Sequence, residues 1–425
     1  MTTIHSGVMP LSLLAWALPA VSQADFVDDA KATLEVRNFY FSRDFRSDGA
    51  AQSKREEWAH GFVLRAASGY TEGTLGLGLE AIAMLGMKLD SSPDRTGTGL
   101  LPRHDDGRAA DDFSTFAPTA KLKLAATELR LGALTPSLPL MAANYSRLLP
   151  QVFNGALLTS TDLDRLTITL GRIEQAKARD SANFEDLTIT GMTGAFSATS
   201  SDAMDYAGFD FKLQPTLTLS FHHARLEDIY RRSYWGIQHS AAVGAGNLFS
   251  ELRYFDARDN GQAMAGEVDN RTLSSNIGYR FGAHTFSGGY QKSRGNSAYP
   301  YLAGSDTYLF SEMLVSTFGM QNERAWQVRY DLNMTPYGVP GLSFTARYVR
   351  GDQIDPERIS GRKAAALRQA RDEGAEWERS IDITYVVQSG PLKDFAVRWR
   401  NATYRSSYTD SADENRLILS YAFKF

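Results

Sequence analysis

Arginines recur at alternating positions in the C-terminal part of the chain. Arg398 and Arg400 lie two residues apart in one segment, and Arg416 opens the polar face of the next segment. Arg329 and Arg347 hold similar positions in two earlier consecutive segments. Guanidinium groups stay charged at any relevant pH and bind carboxylates bidentately. A row of them on one wall would give an anionic solute a series of weak, exchangeable binding sites.

A structural interpretation of the same arginines competes with this one. Carboxylates such as Asp331 and Asp382 occur on the same polar faces, and ion pairs with them would brace the wall. The sequence leaves both interpretations open.

Signals for an enzyme are weak. The chain has no cysteine, which excludes a disulfide framework, a thiolate zinc site and a cysteine nucleophile. His222 and His223 are adjacent, so a strand would send them to opposite faces. The acidic pairs at 105–106 and 111–112 are typical of a solvated loop. We therefore predict no catalytic residue, no cofactor and no metal site, and keep a barrel hydrolase as a minor alternative.

The arginines belong to segments that alternate apolar and polar residues, which is the period of a β-strand. One such segment places Trp326, Val328 and Tyr330 on one face, with Gln327 and Arg329 on the other. The polar faces are rich in Arg, Asp, Gln and Asn, and aromatic residues recur near segment ends, as in the girdles of outer-membrane barrels. The pattern therefore favours a closed barrel with a wet lumen over a soluble β-rich binding protein.

The length sets the number of strands. A mature chain of about 400 residues, at roughly 22 residues per strand and connection, gives about 18 antiparallel transmembrane strands. An even number places both termini on the periplasmic side. A barrel of this width encloses an aqueous channel, so an inward-folded segment must narrow it.

Three segments are too long for turns. Residues 133–162 are too apolar for a solvent-exposed loop, and we predict that they fold inward as a constriction loop. Residues 295–323 and 351–379 are predicted as long extracellular loops. The second has a helical centre and a basic run, interpreted either as a solvated loop or as a contact for anions or lipid phosphates: Arg358, Arg362, Lys363, Arg368 and Arg371.

Residues 1–24 read as a secretory signal peptide, cleaved after Ala24, with the barrel domain spanning 25–425. The apolar stretch 8–21 is too short to span a membrane as a helix, and its leading segment has no Lys or Arg, so the true start codon stays open. The net charge of −4 argues against a nucleic-acid partner. The mean hydropathy of −0.31 averages a lipid face and a wet lumen.

Short motifs follow one another along essentially the whole mature chain, at 25–29, 37–40, 146–151, 171–172, 226–230, 269–270, 326–331, 338–342, 347–348, 390–394 and 415–418. This ordered set resembles the OprD-type porin family of Pseudomonas-like bacteria, also called outer-membrane carboxylate channels.

This resemblance implies a monomeric barrel of 18 strands that takes up small carboxylate nutrients passively along a basic ladder. The family's ladder arginines match Arg398, Arg400 and Arg416. Its constriction loop matches 133–162, with Arg147 as the basic contact. A second pore-facing loop supplies the remaining constriction residues, Tyr299, Tyr301 and Asp306.

We therefore predict a substrate-selective porin in the outer membrane of a Gram-negative bacterium, for amino acids or for simple or aromatic carboxylates. A general diffusion porin is the alternative. The expected partners are outer-membrane lipid, lipopolysaccharide, the solutes themselves and the barrel assembly machinery, which would recognise the C-terminal Phe425. We expect a monomer, with a loose trimer as the alternative.

Overall fold

The computed structural model describes residues 24–191 and 194–425. The predicted signal peptide lies outside the described residues except for Ala24, the first residue of a short helix, α1 (Ala24–Asp28). Within the described ranges, no helix is long and apolar enough to cross a membrane.

Eighteen antiparallel strands form one closed barrel, which confirms the predicted fold class and strand number. Each strand pairs with the next along the chain, and the last pairs with the first, with Tyr40 opposite Leu417. The strands are β1 Lys31–Phe45, β2 Lys54–Ala67, β3 Leu75–Ser91, β4 Asp112–Leu124, β5 Thr127–Leu134, β6 Val152–Ser160, β7 Leu166–Lys177, β8 Met204–Gln214, β9 Leu217–Leu226, β10 Tyr230–Val243, β11 Gly246–Asp259, β12 Asp269–Phe281, β13 His284–Arg294, β14 Arg324–Asn333, β15 Leu342–Ile354, β16 Gly374–Val386, β17 Ala396–Ser406 and β18 Ala412–Lys424.

Alternation along each strand separates a lipid face from the lumen. On β14, Trp326 and Val328 are 42% and 53% exposed on the outer face, whereas Gln327 is buried on the inner face. The outer face also carries two levels of aromatic residues. Phe286 and Tyr330 stack at the end with short turns, and Phe221 contacts Trp235 near the other end. Aromatic residues at both membrane–water interfaces are typical of outer-membrane barrels.

Short and long connections lie at opposite ends of the barrel. Two-residue turns at 125–126, 215–216, 244–245 and 282–283 lie at the end that holds both termini. The long connections lie at the other end, which is extracellular in barrels of this class: 92–111, 135–151, 178–203, 295–323 and 355–373.

The structure corrects the bounds of two predicted loops. Of the segment 133–162, only 135–151 is a long loop, because Val152–Ser160 is the barrel strand β6 and residues 161–162 belong to the short turn that follows it. Of the segment 351–379, only 355–373 lies between strands, and its centre forms the helix α2 (Arg362–Ala370). The connection 178–203 is also long, and the sequence analysis did not single it out.

Two connections fold into the barrel, and we call them the inner loops: inner loop A (135–151) and inner loop B (295–323). Loop A forms a small hairpin in which Ser137–Leu138 pairs with Met141–Ala142. Ala142 also forms a β-bridge to Asp306 of loop B. Apolar residues from both loops and the wall form a buried core that includes Leu140, Met141, Phe153, Tyr299, Leu302 and Leu309. The barrel therefore has an internal core that fixes the two loops to each other and to the wall.

Strands β6 and β7 approach each other closely at Gly155. A Cβ atom at this position would lie 2.2 Å from the carbonyl oxygen of Arg172, beside the register shift at Asn154. We expect Gly155→Ala to lower the free energy of unfolding by about 1–3 kcal/mol, because the backbones must separate. Heat-modifiable gel mobility measures the change. Gly288→Ala is the control, since the only neighbour within 4 Å would be a carbonyl at 3.6 Å. Equal melting of the two variants would contradict this packing.

Candidate solute pathway

A polar cavity of about 710 Å³ lies between the two inner loops and the barrel wall. Seven of the nine predicted site residues line it: Arg147, Tyr301, Asp306, Arg329, Arg347, Arg400 and Arg416. A second cavity of about 300 Å³ lies toward the periplasmic end, lined by Arg398 together with Arg329, Arg347 and Arg400. The structure therefore brings the predicted arginines onto one continuous wall.

Tyr299 is the predicted constriction residue that lines neither cavity. It is fully buried, its hydroxyl donates to the carbonyl of Thr307 at 3.0 Å, and its ring packs edge-on against Phe255. Tyr299 therefore belongs to the internal core, because the bend of loop B turns it away from the lumen.

Arg398 and Arg400 share one carboxylate. Arg398 Nε and Arg400 Nε each lie 2.9 Å from an oxygen of Asp382 on the neighbouring strand. Arg400 Nε is buried and out of line for a hydrogen bond, and the guanidinium of Arg400 makes no hydrogen bond to any residue within 24–191 and 194–425. Two cations beside one anion leave a net positive charge, with free donors on Arg400 at the junction of both cavities.

Arg347 and Arg416 anchor loop B. Arg347 donates to the carbonyls of Phe310 and Glu312, the latter at 2.7 Å, and also to Gln327 Oε1 on the wall. Arg416 is 1% exposed and donates to the carbonyl of Leu314 at 2.9 Å. Charge-assisted hydrogen bonds of this kind are among the strong ones in proteins. Both arginines line the cavity, but backbone carbonyls and the side chains of Gln327 and Glu414 already occupy their donors.

Glu378 on β16 completes the anchor. Its carboxylate accepts hydrogen bonds from the backbone N–H groups of Leu314, Val315 and Ser316 at 2.9–3.3 Å. Consecutive N–H groups converging on one anion form a nest. The wall therefore satisfies both the carbonyls and the amides of 310–316, which holds this stretch across the lumen.

Arg329 pairs within its own strand. It binds Asp331 bidentately at 2.7–3.1 Å, and Thr345 donates to the same carboxylate. This geometry matches the bracing interpretation. Asp331 neutralises part of the charge of Arg329 on the cavity wall, so Arg329 presents less net charge to the pathway than Arg400.

Arg147 lies deep in loop A. Its Nε donates to the carbonyl of Thr98 at 2.9 Å, and its guanidinium lies 5.1 Å from the ring centroid of Phe41. Arg416 lies at the same distance from the same ring. Burial lowers the pKa of Arg147, and the nearby charges of Arg416 and Arg179 act in the same direction. Three cations, Arg147, Arg179 and Arg416, thus lie close together beside loop A.

Two further cavity residues were missed by the sequence analysis. Arg179 comes from the connection 178–203 and donates to Ser146 Oγ at 2.6 Å and Asn144 Oδ1 at 3.2 Å. Glu312 comes from loop B and accepts from the backbone N–H of Thr307 at 3.0 Å. Glu312 was detectable as an acidic residue in a predicted pore loop, whereas no motif marks Arg179.

Comparison with known proteins identifies the group to which this architecture belongs. A family model described as "outer membrane porin, OprD family" matches residues 24–425. The chain is also 38% identical to the Porin-like protein GalP of Pseudomonas putida, over 97% of both chains. It is 34% identical to Porin D of Pseudomonas aeruginosa, over 93% of this chain and 91% of that protein.

The chain belongs to the OprD family of outer-membrane porins. Two solved structures from Pseudomonas aeruginosa illustrate the similarity. OccK9 (OpdG) has a TM-score of 0.88 at 45% identity, and OpdK, solved with vanillate, has a TM-score of 0.86 at 38% identity. In each case the match covers 94% of this chain and 100% of the other. The predicted porin class, membrane and family are thereby confirmed.

One histidine of the porin hydrogen-bonds a serine: His223 Nδ1 lies 2.8 Å from Ser233 Oγ on the neighbouring strand. His222 is fully buried between Tyr206 and Asp210, and Ser220 donates to Asp210 rather than to His222. Within the same ranges, no group of three or more His, Asp or Glu is placed to hold a metal.

Basic residues of the porin's connection 355–373 donate hydrogen bonds to backbone carbonyls of the loops. Arg368 donates to the carbonyls of Pro356 and Ile359 at 2.8 and 2.7 Å, and Lys363 donates to those of Ser406 and Thr409 at 3.2 and 2.9 Å. These contacts brace the connection against its neighbours.

Glu312 is the titratable group of the porin's constriction. Burial, together with the nearby charge of Asp306, raises the pKa of its carboxyl to about 8. Arg179 and Arg347 face the same carboxyl. The folded protein keeps this proton to a higher pH than the unfolded chain. The protonated carboxyl therefore contributes to the stability of the folded state below the ordinary pKa of a glutamate, and this contribution is lost as the pH rises through about 8.

Ion selectivity should follow the titration of Glu312. Between pH 6 and pH 9 the carboxyl loses its proton, so we expect the anion-to-cation permeability ratio to fall. Reversal potentials in a salt gradient measure the ratio. Glu312→Gln should flatten this pH dependence, whereas Glu357→Gln on the exposed connection should leave it unchanged. An unaltered pH step in Glu312→Gln would contradict the assignment.

Glu378→Gln tests the anchor of loop B. A neutral amide loses the charge of the acceptor, and we expect a loss of about 2 kcal/mol in loop stability. Single-channel recordings should then show more frequent current fluctuations than the parent porin. Glu80→Gln is the matched control, because Glu80 contacts only wall residues through Lys121 and Arg130. Identical current noise in both variants would show that Glu378 does not hold the loop.

Proposed function

We propose that this porin takes up small carboxylate solutes selectively and passively through the arginine wall, with Arg400 as the principal contact. The observation that carries the proposal is the group of Arg398, Asp382 and Arg400, in which one carboxylate serves two guanidiniums. Arg400 retains donors that no described residue uses, and it lines both cavities.

The remaining arginines have graded roles in this proposal. Arg398 is 43% exposed and receives the solute on the periplasmic side, after Arg400. Arg329, Arg347 and Arg416 contribute long-range attraction, because charges in a low-dielectric wall raise the local concentration of anions. A solute carboxylate meets one strong site between weaker ones, which permits both entry and release.

Apolar side chains in the larger cavity favour solutes with an apolar body. Phe249, Tyr301 and Phe310 line the larger cavity together with Leu309 and Met313. The structure of OpdK with vanillate, a relative at 38% identity, supports an aromatic carboxylate as the preferred class. Asp306 and Glu312 supply acidic groups at the same constriction, and these would favour the ammonium group of an amino acid instead.

Two further proposals concern assembly. Phe425 is 75% exposed at the end of β18, which leaves its ring accessible to the barrel assembly machinery. Because one chain supplies every residue of the pathway, we propose that a single barrel is the transporting unit. We also propose that residues 1–24 direct export.

The test is liposome swelling with paired solutes. Benzoate and vanillate are compared with their neutral amides, and with arginine and lysine. We expect the acids to enter faster than their amides, and Arg398→Gln with Arg400→Gln to slow the acids by roughly tenfold, since each charged hydrogen bond is worth about 1.5–3 kcal/mol. The amides should be unaffected.

Arg165→Gln, on an exposed periplasmic turn, is the control for loss of charge. Rates that follow solute size alone would favour a general diffusion porin. Faster entry of arginine and lysine than of the acids would instead assign selectivity to Asp306 and Glu312.

A further inference from the structure

A second group of arginines lies on the outside of the barrel, near its extracellular end. Five consecutive strands, β9 to β13, each present one: Arg225, Arg231, Arg258, Arg271 and Arg294. Their neighbours along the strands point inward and are buried, such as Ala224, Arg232 and Ala257. Alternation therefore fixes these five side chains on the lipid side of the wall, and we call them the outer arginine patch.

The register brings like charges together. Arg231 lies directly opposite Arg225 on one side and Arg258 on the other, and Arg271 lies opposite Arg294. Like charges directly opposite each other destabilise a sheet. An anion bound from outside the chain would reduce this repulsion between the arginines.

Internal carboxylates neutralise only part of the patch. Asp205 pairs with Arg225 at 2.7 Å, while Asp256 and Asp269 both pair with Arg258. Asp269 also lies 3.6 Å from Arg271. Arg231 and Arg294 form no ion pair and no hydrogen bond with any residue that the structure describes. Glu227 also lies near Arg225. Five guanidiniums and four carboxylates leave the patch with a net positive charge.

An aromatic row fixes the depth of the patch. Phe221, Trp235, Tyr254 and Tyr290 each lie four residues from an arginine of the same strand, on the same outer face. The first three contact one another at 5.4 and 5.6 Å between ring centroids. Aromatic girdles lie at the membrane interface. Four residues on a strand tilted by about 40° place the guanidiniums roughly 10 Å farther out, at the level of lipid headgroups.

We propose that the outer arginine patch is a binding site for the phosphate groups of lipopolysaccharide, with Arg231 and Arg294 as its principal ligands. Guanidinium is the side chain best suited to bidentate phosphate binding. The end of the barrel with long connections faces the outer leaflet, where this phosphorylated glycolipid resides. The aromatic row would pack against its acyl chains and sugars while the arginines bind its phosphates.

The test uses the whole porin in detergent, titrated with lipopolysaccharide, dephosphorylated lipopolysaccharide and phosphatidylglycerol, with binding read by native mass spectrometry. We expect Arg231→Gln with Arg294→Gln to weaken lipopolysaccharide binding by about tenfold to thirtyfold. Removing the phosphates should weaken binding to the parent porin by a similar factor. Phosphatidylglycerol should bind both proteins weakly.

The matched control is Arg324→Gln with Arg405→Gln, which removes the same charge from outward arginines at the same end. Each of these already has a carboxylate partner, Asp352 at 2.8 Å and Asp413 at 2.7 Å. The control should bind lipopolysaccharide like the parent. Equal binding by the patch variant and the parent, or equal binding of phosphorylated and dephosphorylated glycolipid, would overturn the proposal. Equally tight phosphatidylglycerol binding would overturn the assignment to lipopolysaccharide.

Heat-modifiable gel mobility establishes that each variant is folded before titration. If the double variant does not fold, Arg231→Gln alone is titrated, because its exposed side chain contacts no carboxylate and its removal leaves no charge unpaired.

Discussion

The need to pair every backbone N–H and C=O group in a medium without water is the constraint on which this structure depends. The pairing of β18 with β1 meets that need, since it leaves no open edge in the barrel. Closing eighteen strands creates a lumen too wide to be filled by wall side chains alone. The inner loops follow from this width: without them the wall could not discriminate among small solutes.

The same constraint explains why the lumen arginines differ in role. A loop carried into the barrel brings its own unpaired backbone groups, and these need partners as much as the strands do. Arg347, Arg416 and Glu378 supply them, which ties these charges to the loop. Arg400 donates no hydrogen bond to a loop group among the described residues, so its donors are available to the proposed solute. The division between anchoring and transport follows from which guanidiniums reach a loop carbonyl.

The predictability of each feature depends on how strongly the surroundings restrict the residue type. The lipid requires apolar residues at every second position, so the faces of Trp326 and Val328 were predicted correctly. The strand β6, Val152–Ser160, was assigned to a loop, because its inner face packs on the internal core and its alternation is weak. Alternation placed Asp331 and Asp382 on the same polar faces as Arg329 and Arg398, so these ion pairs were among the interpretations that the sequence left open. The backbone partners of Arg347 were not, because a carbonyl acceptor leaves no mark on residue type.

The arginines on the two faces of the barrel wall lie in different electrostatic environments. In the lumen, carboxylates and loop carbonyls pair with most of the guanidiniums, and the proposed carboxylate solute would bind only the donors that remain on Arg400. On the outer face, the arginines lie at the level of the lipid headgroups, and Arg231 and Arg294 have no carboxylate partner among the described residues. Arg231 and Arg294 therefore gain most from a permanent counter-anion. The strand period that exposes Arg400 to the lumen also exposes these residues to the membrane, so one alternating pattern underlies both proposed anion sites.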